Sequence, residues 1–207
     1  EGVVPLKTKS SAARRHLLFW LIAMILMLLT ATLLLRFGYR QFLKSAYPDR
    51  YRPLVEQYAA EHSFDPSLIF GIILTESHFR PQAQSPKKAK GLMQLTDDTF
   101  QWAQDRSPEK ENLSPEALFD PETNIRYGVK VLALLAENFE DEDTMLAAYN
   151  AGIGTVTRWL ADSRYSDDGV TLKEIPYPET REYVRRVRQA QQMYQSLYGY
   201  GKDGYHG

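Results

Sequence analysis

The chain contains no cysteine. That absence removes thiol nucleophiles, Cys-ligated zinc and a disulfide framework, and it fits either side of a membrane. Histidine is scarce as well: His16, His62, His78 and His206 do not cluster, and no zinc-ligand spacing, phosphate-binding glycine loop or dinucleotide fingerprint occurs. No metal site and no cofactor are therefore expected. Sustained alternation of apolar and polar residues, the mark of a half-buried sheet, is missing, as are repeats and long low-complexity tracts. Basic residues are short where a nucleic-acid partner would need them. Residues 1–44 carry net +6, but residues 45–207 carry net −7, so the larger part of the chain lacks the basic footprint of a nucleic-acid binder.

What is present begins with one long apolar run. Leu17 to Leu35 holds 19 residues without a charged side chain, enough to cross ~30 Å of hydrocarbon at 1.5 Å per helical residue. The apolar core of a cleaved signal peptide is usually only ~7–15 residues and ends at small residues, whereas Leu33-Leu34-Leu35 runs directly into Arg36. The sequence thus predicts a basic cytoplasmic leader at 1–16, a transmembrane signal-anchor helix at 17–35, a juxtamembrane linker at 36–49, one domain at 50–198 and a flexible tail at 199–207. Lys7, Lys9, Arg14 and Arg15 precede the span, against Arg36, Arg40 and Lys44 after it. This small excess, together with the affinity of a basic leader for an anionic inner leaflet, places the N-terminus in the cytoplasm and the domain outside. Because the chain opens on Glu1, a fragment or a processed form is expected.

Beyond the span, helical periodicity recurs. It covers Tyr51 to Ala59, Asp65 to Pro81, Thr96 to Ala103, Asn124 to Phe139, Thr144 to Asn150, Thr155 to Ala161 and Pro178 to Leu197. Residues 82–95, with Pro86 and Gly91, read as a loop or small hairpin, and Gln104 to Pro121 as a weakly structured connection. The expected domain is all-α, with at most that hairpin.

Glu76 stands out within this pattern. Asp65 is placed as an N-cap, Pro66 at the first helical position and Pro81 as the stop. Leu68, Ile69, Ile72, Ile73 and Glu76 then share one helix face. A carboxyl on an apolar face near a helix C-terminus is disfavoured in its charged form by desolvation and by the helix dipole. Such an acid keeps its proton near neutrality and can donate it to a leaving group. On this helix alone a second reading stays open, in which Glu76 sits at the edge of the stripe and pairs with an arginine such as Arg80.

Three blocks decide between them. Glu76-Ser77-His78-Phe79, Ser85 to Leu95 with Gly91-Leu92-Met93-Gln94 inside it, and Ala148-Tyr149-Asn150-Ala151-Gly152 resemble the signature of the soluble-lytic-transglycosylase domain family. Asp120 to Gly128 and Ile175 to Val184 resemble its supporting segments, and order and spacing agree over about residues 50–198. The resemblance implies a lysozyme-like α-domain that cleaves the β-1,4 bond between N-acetylmuramic acid and N-acetylglucosamine of peptidoglycan without water, leaving 1,6-anhydromuramic ends. It further implies peptidoglycan glycan strands as partner, with the bilayer contacted through 17–35, and names no protein partner.

Roles carry over residue by residue. The resemblance implies Glu76 as sole acid and then base, Tyr149 as a support that orients it, and Ser85, Met93, Gln94 and Asn150 as substrate-binding residues. Glu179 resembles a family acid that meets the peptide stem; as an acid in the first turn of a helix it equally fits a dipole-stabilising role. Lys88 departs from the family pattern, standing where glycine is usual, and Asp97 stands where proline often occurs. Lys87, Lys88 and Lys90 together read either as a solvated basic loop or as an attractor of carboxylates on stem peptides or anionic wall polymers. Two alternatives to the transglycosylase remain: a hydrolytic muramidase using Asp97 or Asp98 as second carboxyl, and an inactive wall-binding or scaffold module.

Overall fold

The computed structural model describes residues 10–108 and 111–201. Lys7 and Lys9 of the expected leader and 202–207 of the expected tail, with His206, lie outside the described residues. The chain forms two compact units, Glu1–Ala46 and Tyr47–Gly207.

The first unit is the helix α1, Ser10–Ala46. It is long and apolar enough to cross a membrane, a property shared by anchors and targeting signals. Leu17, Trp20, Ile25, Leu28 and Leu34 are all exposed, so the helix is apolar all round, without the polar face that would suit it to water. Two threonines in the apolar run are satisfied within the helix: the Thr30 hydroxyl donates to the Leu26 carbonyl at 3.0 Å and Thr32 to the Leu28 carbonyl at 2.7 Å. The helix continues past the apolar run, so most of the segment expected as a linker, 36–46, is helical.

The second unit is helical: α2 (Arg52–Glu61), α3 (Pro66–Ser77), α4 (Asp97–Asp105), a 3-10 turn at Pro115–Phe119, α5 (Pro121–Ala136), α6 (Glu142–Ala151), α7 (Ile153–Leu160) and α8 (Pro178–Tyr198). Among the described residues no sheet forms. In place of the hairpin there are two isolated antiparallel bridges, Gln84 with Lys90 and Lys90 with Leu95.

At the centre lies α3. Asp65 caps it, its carboxylate accepting from the Ser67 amide at 2.8 Å. Leu68, Ile69, Phe70, Ile72 and Ile73 are each at most 1% exposed, so the helix is enclosed on nearly every side, not along a single stripe. Burial of these five side chains contributes roughly 10 kcal/mol as an upper estimate. The helix ends before Pro81, at His78 and Phe79, both left-handed with φ of 52° and 59°.

The neighbour of α3 is α8. Gly71 makes their close approach possible, since a β-carbon there would stand 2.9 Å from the Val187 carbonyl oxygen. Tyr194 stacks on Phe70 at 5.0 Å, and its hydroxyl donates to the Pro48 carbonyl. Beyond α8 the chain does not fray at once, because Tyr200 stacks on Phe70 at 5.7 Å and donates to Glu56 at 2.9 Å. These contacts fix α8 against α3, and with it the groups that face Glu76.

Candidate active site

Glu76 lies in the last turn of α3 and opens into a cleft of about 450 Å³. Ser85, Lys87, Gln94, Tyr149, Asn150 and Glu179 line the same space, so the cleft gathers residues from α3, the 82–95 loop, α6 and the start of α8. It continues past Thr99, Val131 and Tyr149 into an apolar hollow of about 280 Å³ containing Trp102 and Ile153.

The Glu76 side chain retains a narrow exposed edge, while protein encloses most of its carboxyl. Desolvation pushes its pKa up from 4.5 to about 7, against the opposing influence of Tyr183 and Arg186. At neutral pH it is therefore divided between its acid and base forms, as a group serving both roles requires. Tyr183 is buried on α8, and its hydroxyl closes no well-formed hydrogen bond. It nevertheless stands near enough to Glu76 to favour the ionised carboxylate. Burial, and then the Glu76 charge, holds the Tyr183 hydroxyl well above its ordinary pKa. Sequence periodicity marks Tyr183 only as a core position of the last helix; its membership of the Ile175 to Val184 block is the one signal that could have singled it out.

Tyr149, expected as the support that orients Glu76, is anchored to the backbone of the loop. Its hydroxyl donates to the Met93 carbonyl at 2.8 Å, while burial and the nearby Glu76 charge push its pKa well above 10. Tyr149 thus forms a wall beside the acid and ties α6 to the Gly91–Leu95 segment. Met93 itself is fully buried, with its sulfur packed over Gly128. The expectation that its side chain lines the cleft is corrected to a supporting position, because Gly128 leaves a space on α5 that only a long apolar side chain fills.

The segment around Met93 is pinned by buried Asn124. Its amide accepts from the Met93 N–H at 2.7 Å and donates to the Lys90 and Leu118 carbonyls at 2.9 and 2.8 Å. Gly91 is required there: φ is +78°, and a β-carbon would overlap both the Asn124 amide and the Leu118 carbonyl. Gln94 comes next, left-handed at φ 51°. Its amide nitrogen donates to the Ala83 and Gly91 carbonyls at 3.1 and 2.8 Å, which uses both N–H groups and leaves the side-chain oxygen to accept from a ligand.

The remaining predicted residues reach the cleft as well. Ser85 closes a turn, its N–H donating to the Ala89 carbonyl at 2.9 Å and its hydroxyl accepting from the Ala89 N–H at 3.1 Å. Asn150 accepts from the Thr180 hydroxyl at 2.9 Å, joining the end of α6 to the start of α8. Glu179 is exposed and lines the cleft from the first turn of α8.

Three charged groups, Lys90, Asp97 and Asp98, are not where a reading of the sequence alone puts them. Lys90 is only 6% exposed, and its ammonium pairs with Asp97 at 2.8 Å and with Glu116 at 3.9 Å. It is a structural clamp and not part of a solvated basic loop. Asp97 is correspondingly occupied, and Asp98 borders the apolar hollow instead of the Glu76 cleft. The groups acting on the Glu76 charge are Tyr183 and Arg186, with no second carboxylate among them. Among the described residues no group of three or more His, Asp or Glu could hold a metal.

Residues 53–170 match the Transglycosylase SLT domain. The chain is 35% identical over 147 residues to the soluble lytic murein transglycosylase of Escherichia coli strain K12, covering 70% of this chain and 23% of that protein. It is 40% identical over 146 residues to the membrane-bound lytic murein transglycosylase F of Desulfosudis oleivorans, covering 65% of this chain and 30% of that protein. The crystal structure of the 70 kDa soluble lytic transglycosylase SLT70 from Escherichia coli superposes with a TM-score of 0.68 at 30% identity, over 76% of this chain and 26% of that one. The chain thus spans about a quarter of the length of these relatives. With the match extending over most of the helical unit and the fold shared with a solved relative, the chain belongs to the transglycosylase SLT domain family.

Proposed function

We propose that this chain is a peptidoglycan lytic transglycosylase that cleaves the β-1,4 bond between N-acetylmuramic acid and N-acetylglucosamine without water. Protonated Glu76 gives its proton to the glycosidic oxygen as the bond to the muramic anomeric carbon breaks. The acetamido group of the same sugar stabilises the positive charge at that carbon. Glu76, now a carboxylate, takes the proton from the muramic C6 hydroxyl as its oxygen bonds to the anomeric carbon, closing the 1,6-anhydro ring. The enzyme ends the cycle in its starting protonation state.

The observation that carries this reading is the enclosed Glu76 carboxyl in the cleft wall, held at about 7 by burial and acted on by a tyrosine and an arginine, while the other cleft carboxyl, Glu179, is exposed and not among the groups acting on it. A glycosidase with two protein carboxyls needs the second close across the scissile bond, at ~5–9.5 Å, to act as nucleophile or to activate water. One acid that alternates between donor and acceptor suits the substrate-assisted route. Ser85, Gln94 and Asn150 supply polar contacts in the cleft, Glu179 meets the substrate's peptide, Tyr149 walls the acid, and Tyr183 positions its carboxylate.

The domain borders, 50–198 for catalysis and 17–35 for the span, belong to the same proposal. The apolar α1 supports a membrane anchor with the N-terminus cytoplasmic and the catalytic unit on the wall side. Digestion of purified peptidoglycan with the wild-type chain and with Glu76→Gln tests the reaction. The proposal expects products one water lighter than hydrolytic fragments from the wild type and none from the variant; activity surviving in Glu76→Gln would overturn it.

A further inference from the structure

The cleft that holds Glu76 carries one cation among its lining residues, Lys87. Lys87 and its neighbour Lys88 are both exposed, and neither forms an ion pair among the described residues. Several other cations in the helical unit are neutralised within the chain. Lys90, Arg52, Arg126, Arg164, Lys173, Arg185 and Arg188 all pair with carboxylates of this chain. Lys87 thus brings to the cleft a cation that no ion pair among the described residues holds, in a segment, residues 45–207, whose net charge is −7.

The loop that presents it is braced. Lys88 N–H donates to the Ser85 carbonyl at 2.8 Å, closing a turn with Pro86 in its second position, and the Ala89 N–H donates to the Ser85 hydroxyl at 3.1 Å. Lys88 occupies the left-handed region at φ 62°, which costs a residue with a β-carbon about 1 kcal/mol more than glycine. Lys88 thus carries a side chain, and its charge, where glycine would fit with less strain.

We propose that Lys87 recognises a carboxylate of the peptide borne by the glycan strand in the Glu76 cleft, with Lys88 raising the local positive potential. The inference rests on the glycan reading of that cleft. Lys87 shares one continuous space with Glu76, Ser85 and Gln94, so its partner belongs to the molecule being cut. A peptide attached to a muramic lactyl group supplies such carboxylates a short distance from the scissile bond. An acidic domain repels an anionic strand overall, and a cation at the cleft offsets that repulsion where the strand must dock.

The test uses the full-length chain in detergent with Glu76→Gln as background, so that strands bind without being cut. Affinity is measured at low salt for glycan strands with intact peptides, for strands stripped of peptide by an amidase, and for a free polyglycerol-phosphate polymer. Lys87→Gln should weaken binding to the peptide-bearing strands about threefold to fivefold, as for an exposed charge pair. Stripped strands should bind with unchanged affinity, and Lys88→Gln should weaken binding by less than Lys87→Gln. The difference should vanish near ~0.5 M salt, where screening is strong.

Unchanged binding of peptide-bearing strands by Lys87→Gln, or equal loss for both strand types, would overturn the proposal while leaving the glycan reading intact. Loss confined to the phosphate polymer would assign the lysines to an anionic wall polymer and overturn it also. If the Glu76→Gln parent bound neither strand type, the glycan reading itself would fail, and the proposal with it.

Discussion

Replacing Glu76 by glutamine should remove activity and at the same time stabilise the fold, by an amount that depends on pH. The side chain keeps its shape, but its ability to ionise is lost. In the folded wild type the carboxyl titrates near 7, whereas its ordinary value is 4.5. Between those values the native state holds a proton that the unfolded chain has released, so wild-type stability falls as pH rises. The stabilising contribution is fully present below 4.5 and is lost as pH passes through about 7. At 1.36 kcal/mol for each tenfold change in proton affinity, the total is about 3 kcal/mol. Glutamine has no such dependence. The two proteins should therefore differ by a constant near pH 4, diverge between pH 5 and 7, and reach an additional gap of about 3 kcal/mol at pH 8 in favour of the variant. For a domain of this size that gap corresponds to roughly 6–12 °C in melting temperature. Thermal unfolding of both proteins across this pH range, followed by circular dichroism in the same detergent, reads it directly. Parallel stability curves would refute the argument that burial holds Glu76 largely protonated.

The same reasoning extends to its neighbours. Glycosidic cleavage by the wild type should fall about tenfold per pH unit above about 7, as the acid form of Glu76 disappears, which initial rates on soluble glycan fragments will show. Tyr183→Phe removes a buried hydroxyl that favours the Glu76 carboxylate and has no hydrogen-bond partner among the described residues. The alkaline limb of the rate profile should move to higher pH with little change in melting temperature, whereas a purely structural tyrosine would change stability and leave the limb in place. Gly91→Ala should destabilise by about 3 kcal/mol or more, since the left-handed backbone and the overlap with Asn124 and Leu118 act together, and denaturant midpoints measure this. Lys88→Gly should leave stability unchanged or raise it by about 0.5 kcal/mol, because relief of left-handed strain slightly exceeds the entropy that glycine adds to the unfolded chain; a loss above 1 kcal/mol in the same titrations would contradict this.

Features that depend on neighbours in sequence were legible there. Asp65 is read as a cap from its position before Pro66, and the structure shows its carboxylate on the Ser67 amide. Glu76 is conspicuous because a carboxylate interrupts an apolar periodicity, and α3 carries it to the cleft. The all-helical character follows from the same periodicities. Other features depend on residues far apart in the chain. Lys90 looks like a surface charge among lysines, and only the fold brings Asp97 and Glu116 around it. Met93 is buried because Gly128, on a different helix, leaves room for its sulfur. Tyr183 has the spacing of any core aromatic, and its meaning appears only when α8 packs against α3. The sequence places the stop of α3 at Pro81, but His78 and Phe79 turn left-handed first. No residue type announced that change, since neither glycine nor asparagine occupies those positions.

The central claim is that one carboxyl, Glu76, works twice on the same sugar and that no water enters the product. Digestion of peptidoglycan in water enriched in heavy oxygen, with the products resolved by mass spectrometry, tests it most directly. The account predicts 1,6-anhydromuramic ends that carry no solvent oxygen, from the first detectable turnover onward. Reducing muramic ends labelled with heavy oxygen as primary products would contradict it and assign the chain to hydrolysis.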